Sequence, residues 1–406
     1  MRGVARMILG LIAILLLTLS FAGSQEKPKN TDQAPALVEA STVDPSTFPV
    51  YTKWLDKHGA TPLDYIVEKA QQHQVVVLGE YHERKDFLDL LNQAIPDLYK
   101  KAGVRVLALE VCNAEDDSNL ETLVNGDQYD RALALEIARH EDWEIWGYKE
   151  YWDLLEAVWR LNKSLPKGAE HMRIIGIDKR MDYQLDELWR QNQLTDPALI
   201  EKAKNQPDMY KRDDWMAQNI EDGILSPGLK GVALVGLNHS FTKYGQPKLK
   251  DGKLEKEWPR MSAILYGKYG DKIFQIAAHG EEMSPSVVDK DYKGAGPILP
   301  SLVEKIMNAR GNTSVGFDVA GSPFANLRDS ESYYFRWQPK VTFADISEGF
   351  IFLKPMSSLA GCAWVDGFIS DEMFKKSKAY YETTYQRKFN NAKEVDDFLK
   401  AGSARP

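Results

Sequence analysis

The chain has 406 residues, 43% of them hydrophobic, 27% charged and 11% aromatic, which is enough apolar material for a large core and excludes a disordered chain or a disulfide-framed miniprotein. A net charge of −8 without any Lys/Arg-rich run argues against a surface that tracks nucleic-acid phosphates. Two cysteines and no CxxC leave neither a cysteine-based zinc site nor thioredoxin chemistry.

At the N-terminus, Arg2 and Arg6 precede a nearly continuous apolar run from Met7 to Ala22, closed by the small residues Ala22, Gly23 and Ser24. This is the form of an export signal over residues 1–24, with the mature chain starting near Gln25; left uncleaved, the run would act as an anchor. The protein is therefore expected to be exported, periplasmic or secreted, with no membrane association except through that signal. No cysteine follows the run to carry a lipoprotein anchor. Residues 25–49, rich in Lys, Pro, Thr, Gln, Ala and Ser, read as a disordered linker. In an oxidising compartment Cys112 and Cys362 are either paired or two separate buried thiols.

From residue 70 onward, short β-branched apolar runs alternate with longer amphipathic ones, which predicts an α/β fold with a largely parallel central sheet flanked by helices. The expected strands are Val75 to Gly79, Val104 to Val111, Met172 to Asp178, Val232 to Leu237, Lys272 to Ala278 and Ser314 to Val319. Helical spacing falls at Phe87 to Lys101, Tyr148 to Leu161, Asp182 to Gln193, Met209 to Asp222 and Pro259 to Tyr269. The main domain is placed at 50–342. Residues 343–406, with a strand at Phe350 to Lys354 and a charged helical tail, read as a C-terminal extension packed on it as an edge and cap.

In open α/β sheets, ligands bind beyond the carboxyl ends of the strands. Here those ends read Gly79-Glu80-Tyr81-His82, Glu110, Asp178, Gly236-Leu237-Asn238-His239 and His279-Gly280. Any chain turns polar on meeting water, so one Asp there means little; three of seven histidines and two glutamates is more than that. With 28 glycines and seven histidines, Gly-x-x-His should occur about 0.5 times by chance, and it occurs three times. The copy at Gly168 to His171 lies in a loop before a strand and is set aside. The other two each close a hydrophobic strand, where glycine permits a sharp turn that brings the imidazole back over the sheet.

Glu80 and His82 alternate about Tyr81 and so point to one side, with Glu110 ending a neighbouring strand. A carboxylate beside an imidazole raises its proton affinity and fixes its tautomer, as a base acting on water requires; a buried ion pair that merely closes the sheet would look the same. Arg212 shares a helix face with Met216 and Asn219 and offers a guanidinium to an oxyanion or a carboxylate, or an ordinary salt bridge. Trp143, Trp146, Tyr148, Tyr151 and Trp152 form an aromatic patch, either core or the lining of an apolar pocket. His58, His73 and His140 read as surface residues. There is no GxSxG, HExxH or GxGxxG, and Leu237-Asn238 stand where a phosphate loop beginning at Gly231 would need Lys and Ser or Thr.

The succession Val76-Val77-Leu78-Gly79-Glu80-Tyr81-His82, Val106 to Glu110, Ile175 to Asp178, Arg212-Asp213 with Met216 to Asn219, and Gly236 to His239 resembles the erythromycin esterase-like family. The same superfamily holds the ChaN-like haem-binding lipoproteins and the Tiki/TraB group. The esterase resemblance implies a metal-independent hydrolase of an ester or related acyl bond. In it His82 activates water, Glu80 and Glu110 support it, and Arg212 and His239 stabilise charge on the carbonyl oxygen; no cofactor is then expected. The ChaN resemblance implies haem or ligand binding without turnover. The Tiki/TraB resemblance implies a metal-dependent peptidase with Zn or Mn held by Glu80, His82, Glu110 and His239. In each case the partner is a small-molecule substrate or ligand, and nucleic acid is not among them.

Overall fold

The computed structural model describes residues 36–140, 144–250, 253–280, 302–330 and 332–403. The export signal, residues 25–35 of the linker, Trp143 and residues 281–301 lie outside these residues. Among the described residues no helix is long and apolar enough to cross a membrane. Leu37–Pro406 form one compact unit.

The strands in chain order are β1 (Val38–Glu39), β2 (Val75–Glu80), β3 (Val106–Asn113), β4 (Arg173–Asp178), β5 (Gly231–Gly236), β6 (Gln246–Lys250), β7 (Lys253–Trp258), β8 (Ile273–Ala278), β9 (Val315–Asp318), β10 (Leu327–Arg328) and β11 (Gly349–Phe352). Seven of them make the central sheet in the order β4-β3-β5-β2-β8-β11-β9. Neighbours are parallel except β11 and β9. The helices before the middle of the chain are α1 (Phe48–His58), α2 (Pro62–Gln72), α3 (Lys85–Ala102), α4 (Asp117–Asn125), α5 (Arg131–Arg139), α6 (Lys149–Ser164), α7 (Tyr183–Arg190) and α8 (Pro197–Lys204). After it come α9 (Arg212–Ile220), α10 (Leu237–Ser240), α11 (Met261–Tyr269) and α12 (Leu302–Ala309). The expected α/β fold with a mostly parallel sheet is the one observed.

β2 is buried at every residue, as a central parallel strand must be when helices cover both faces. Its alternation sorts the two faces. Val76 and Leu78 pack with α3 and α6, and Val75 and Val77 pack with α9 and α11. On α3, Phe87, Leu88, Leu91, Ala94, Ile95 and Leu98 form the buried stripe at i, i+3, i+4 spacing, each large side chain contributing about 1.5–3 kcal/mol by leaving water. The helix ends at Gly103, whose φ of 73° is the left-handed C-cap that glycine adopts freely. β2 passes into α3 on one face and β5 into α10, which packs with α11, on the other. Their adjacent carboxyl ends therefore open a crevice.

Two boundaries differ from the sequence reading. The linker was placed to residue 49, but β1 pairs in parallel with β10, and Ala40 and α1 belong to the packed unit. The segment from residue 343 was read as an added edge, yet β11 sits inside the sheet between β8 and β9. Its run Gly349–Phe352 is buried throughout, which only an interior strand sustains. Cys112 and Cys362 are separate buried thiols.

Candidate functional site at the carboxyl ends of the sheet

The register aligns Glu80 of β2 with Gly236 of β5, and β3 is paired to β5 up to Leu109. Beyond Leu109 the β3–β4 register shifts before pairing resumes at Asn113 with Asp178. At this irregularity β3 crosses so close to Gly176 that a Cβ there would lie 2.1 Å from the Asn113 carbonyl oxygen. Such irregularities re-aim side chains, and Glu110 leaves the strand at this one. By strand alternation Glu80 projects to the α6 face and Glu110 to the α9 face, with β5 between them.

On the α6 face, Glu80 Oε1 lies 2.6 Å from His82 Nδ1 and accepts from the Tyr151 hydroxyl at 3.0 Å. A carboxylate only accepts, so Nδ1 carries the hydrogen and Nε2 is the nitrogen that gains and loses a proton. The Tyr151 hydroxyl also accepts from the Glu83 N–H at 3.1 Å. Glu83 has φ of 67°, and this rare backbone state at a non-glycine residue helps turn the chain back at His82. The Trp146 ring meets His82 edge-on at 5.0 Å. A Cβ at Gly236 would lie 2.8 Å from both Cε1 and Nε2 of His82, so this glycine gives the imidazole its place.

On the α9 face, Glu110 Oε2 accepts from the Gly236 N–H at 2.5 Å and Glu110 Oε1 from Arg212 Nη2 at 2.7 Å. Arg212 Nε donates to Asp178 at 2.8 Å and to the Tyr183 hydroxyl at 3.2 Å, and Nη2 also donates to Asp178. Nη1 stands 3.0 Å from His239 Nε2. His239 Nδ1 is held by Asp213 at 2.7 Å, and Asp213 in turn accepts from Arg260 Nε and the Met261 N–H, both at 2.8 Å. Arg260 Nη2 reaches His239 Nδ1 at 3.1 Å, and Nη1 donates to Gln246.

Burial lowers the proton affinity of His82, but the charge and hydrogen bond of Glu80, followed by Glu110, outweigh it and raise the imidazole to about 9. For Glu110, burial acts to raise the carboxyl; Arg212, His239, His82 and the Gly236 N–H win and bring it down to about 2. Asp213 is held far below the usual carboxylate range against its burial by His239, Arg260 and Met261. Burial opposes the charge of Arg212, while Asp178 and Glu110 keep it firmly protonated.

The structure thus brings together all five residues singled out by the strand ends and the α9 face: Glu80, His82, Glu110, Arg212 and His239. The guanidinium is committed to two buried carboxylates, the salt-bridge alternative of the sequence reading. It occupies the cation position among Glu110, Asp178 and His239, so these donors do not fit a divalent ion. Among the described residues no group of three or more His, Cys, Asp or Glu side chains could hold a metal. Glu80, His82, Glu110 and His239, the set named for a metal-dependent reading, do not form such a group. His279, at the fifth exit, pairs with Glu304 at 3.1 Å and packs on Phe350 and Phe352. His140 is half-buried against Asp116 at 2.8 Å, not a plain surface residue. Asp213, Tyr151 and Arg260 all lay within noted segments, but neither Asp213 nor Arg260 was given a role of its own.

A mixed α/β sheet with a buried carboxylate, imidazole and guanidinium network at its carboxyl rim is the class that fold and site define. Residues 66–166 match the family described as haem-binding uptake, Tiki superfamily, ChaN, so the superfamily expected from the motifs is the one found. Among solved structures, a succinoglycan biosynthesis protein is similar with a TM-score of 0.50 at 10% identity, over 77% of this chain and 98% of that one. An erythromycin esterase variant in its open conformation is similar at 14% identity and a TM-score of 0.46, over 71% and 92%. The haem-binding ChaN of Campylobacter jejuni is similar at 14% and 0.34, over 53% and 85%. At such identities the likeness is one of fold. No curated protein matches the chain.

Proposed function

We propose that the protein is an exported hydrolase that cleaves an ester or related acyl bond with water activated by His82. One observation carries this reading. His82 is 21% exposed, while its partner Glu80 and the neighbouring Glu110, Arg212, Asp213 and His239 are buried and engaged. In the proposed reaction water attacks the acyl carbon and passes a proton to His82 Nε2. The same proton then goes to the departing alkoxide, giving an acid and an alcohol. Glu80 fixes the ring and stabilises its charged form, and Glu110 adds to that field. Arg212 and His239 act as positioning residues for Glu110 rather than as oxyanion donors, because every side-chain nitrogen of the two is already engaged by a buried partner. The test is a panel of activated esters and lactones. His82→Ala should remove turnover while circular dichroism stays unchanged, and retained hydrolysis by that variant ends the proposal. Export predicts that N-terminal sequencing of the extracytoplasmic protein begins near Gln25.

A second reading, haem binding, is favoured by the family match and by a cavity of about 670 Å³ between α3, α5, α6 and the segment 364–366. Its aromatic walls Tyr129, Trp152 and Trp364 suit a flat macrocycle, and Arg131 suits a propionate, whereas Lys149 and Arg160 are paired with Asp153 and Glu156 of the same lining. Tyr129 would supply the iron ligand. Bound haem would bring electron-transfer or oxygen chemistry to this face. Addition of haem should then give a Soret shift that is lost in Tyr129→Phe and kept in His82→Ala.

A further inference from the structure

The loops that leave β3 and β4 at the same rim carry a second side-chain cluster. Asp116, 1% exposed, accepts from Arg180 Nη2 at 2.8 Å and from Asn119 Nδ2 at 3.1 Å, and its other contact is His140 Nδ1 at 2.8 Å. Arg180 Nη2 also stands 2.9 Å from His140 Nδ1, and the Arg180 main-chain N–H donates to Glu115 at 3.1 Å. The two heads so held are open to solvent: Arg180 is 42% and His140 27% exposed. Arg180 spends only Nη2. Its Nε and Nη1 have no partner among the described residues.

A buried carboxylate that fixes a guanidinium by one nitrogen, leaving the remaining donors of the fork outward beside an imidazole, is the arrangement that grips a carboxylate or phosphate. It also continues the site already described. Asp178, two residues before Arg180, is the carboxylate that holds Arg212. β4 is three strand spacings from β2 in the sheet, which at about 4.8 Å each separates the exits that carry Arg180 and His82 by roughly 14 Å along the rim.

We propose that Arg180 and His140 form a subsite for an anionic head, carboxylate or phosphate, at the far end of the substrate whose acyl bond meets His82. This rests on the hydrolase reading and narrows it to long substrates charged at one end. Kinetics on the full chain test it with the p-nitrophenyl monoester of decanedioic acid, an equally long ester ending in phosphate, neutral p-nitrophenyl decanoate, and the short monoester of butanedioic acid. Arg180→Ala should raise KM about tenfold or more for whichever long anionic ester the enzyme prefers, and leave kcat and the neutral and short esters within twofold. Arg180→Lys keeps the ion pair with Asp116 but lacks the fork. It should fold as the wild type does and still lose most of the preference, which separates recognition from stability. Equal effects on charged and neutral esters, or no effect, overturn the subsite. Calorimetry with the monoamide of decanedioic acid, which reports binding without turnover, separates the two proposals. Binding lost in both Arg180 variants supports the subsite even if no ester is hydrolysed, and absence of binding by the wild type overturns it.

Discussion

At the scale of single residues, the site is organised by which charges are already spent. Glu80 raises the proton affinity of His82, so the free enzyme carries an imidazolium up to about pH 9, and kcat/KM should climb with pH toward that value. Replacing Glu80 by Gln removes the charge. Its pH profile should reach a plateau at lower pH, nearer the ordinary imidazole value, and at a lower rate. A profile unmoved by Glu80→Gln would separate His82 from the rate. Arg212 answers to a different measurement. Arg212→Met leaves Glu110 and Asp178 buried without their shared cation and should cost about 3–5 kcal/mol in urea denaturation, since truncating one partner strands the other charges.

Among elements, β5 and its exit do the positioning. Gly236 has φ of −57°, so alanine strains nothing in its backbone; the cost is the 2.8 Å approach of the new Cβ to the His82 ring. Gly236→Ala should therefore fold and lose activity, as thermal melting and ester assays on one preparation would show. Such positions were legible because the strands before them are apolar on both faces, and Val75 to Gly79 could hardly be anything else. Glu80, His82 and His239 stood out for the same reason, as polar groups ending apolar runs. Arg260 did not. It follows β6 and β7, a ribbon outside the main sheet whose exposed, charged β7 has no core face to impose alternation. β11 was read as an edge because a four-residue apolar run does not disclose which neighbours it will have. The close of α9 was also hidden: a π-turn over Glu221–Leu225 extends it, a change of hydrogen-bonding step that side-chain period does not record.

For the whole molecule, two of the perturbed groups set opposite limits on stability. His82 has its folded value raised from 6.5 to about 9, so its contribution is complete below pH 6.5 and lost as pH rises through 9. Glu110 is depressed from 4.5 to about 2, so its contribution is complete above pH 4.5 and lost as pH falls through 2. Denaturation midpoints of wild type and Glu110→Gln should converge in acid and separate above pH 4.5. The placement of β11 between β8 and β9 has a further consequence for biosynthesis. β9 leaves the ribosome before β11 and, apart from a bridge of Gly316 to Ala60, has no strand to pair with until β11 arrives, so the nascent chain must carry the open edge of β8, and β9 outside the sheet, until residues 349–352 emerge. Were the chain exported as proposed, threaded through a translocon from its N-terminus, it would complete its sheet only near the end of passage, and a holding chaperone would matter most over the last sixth of the chain.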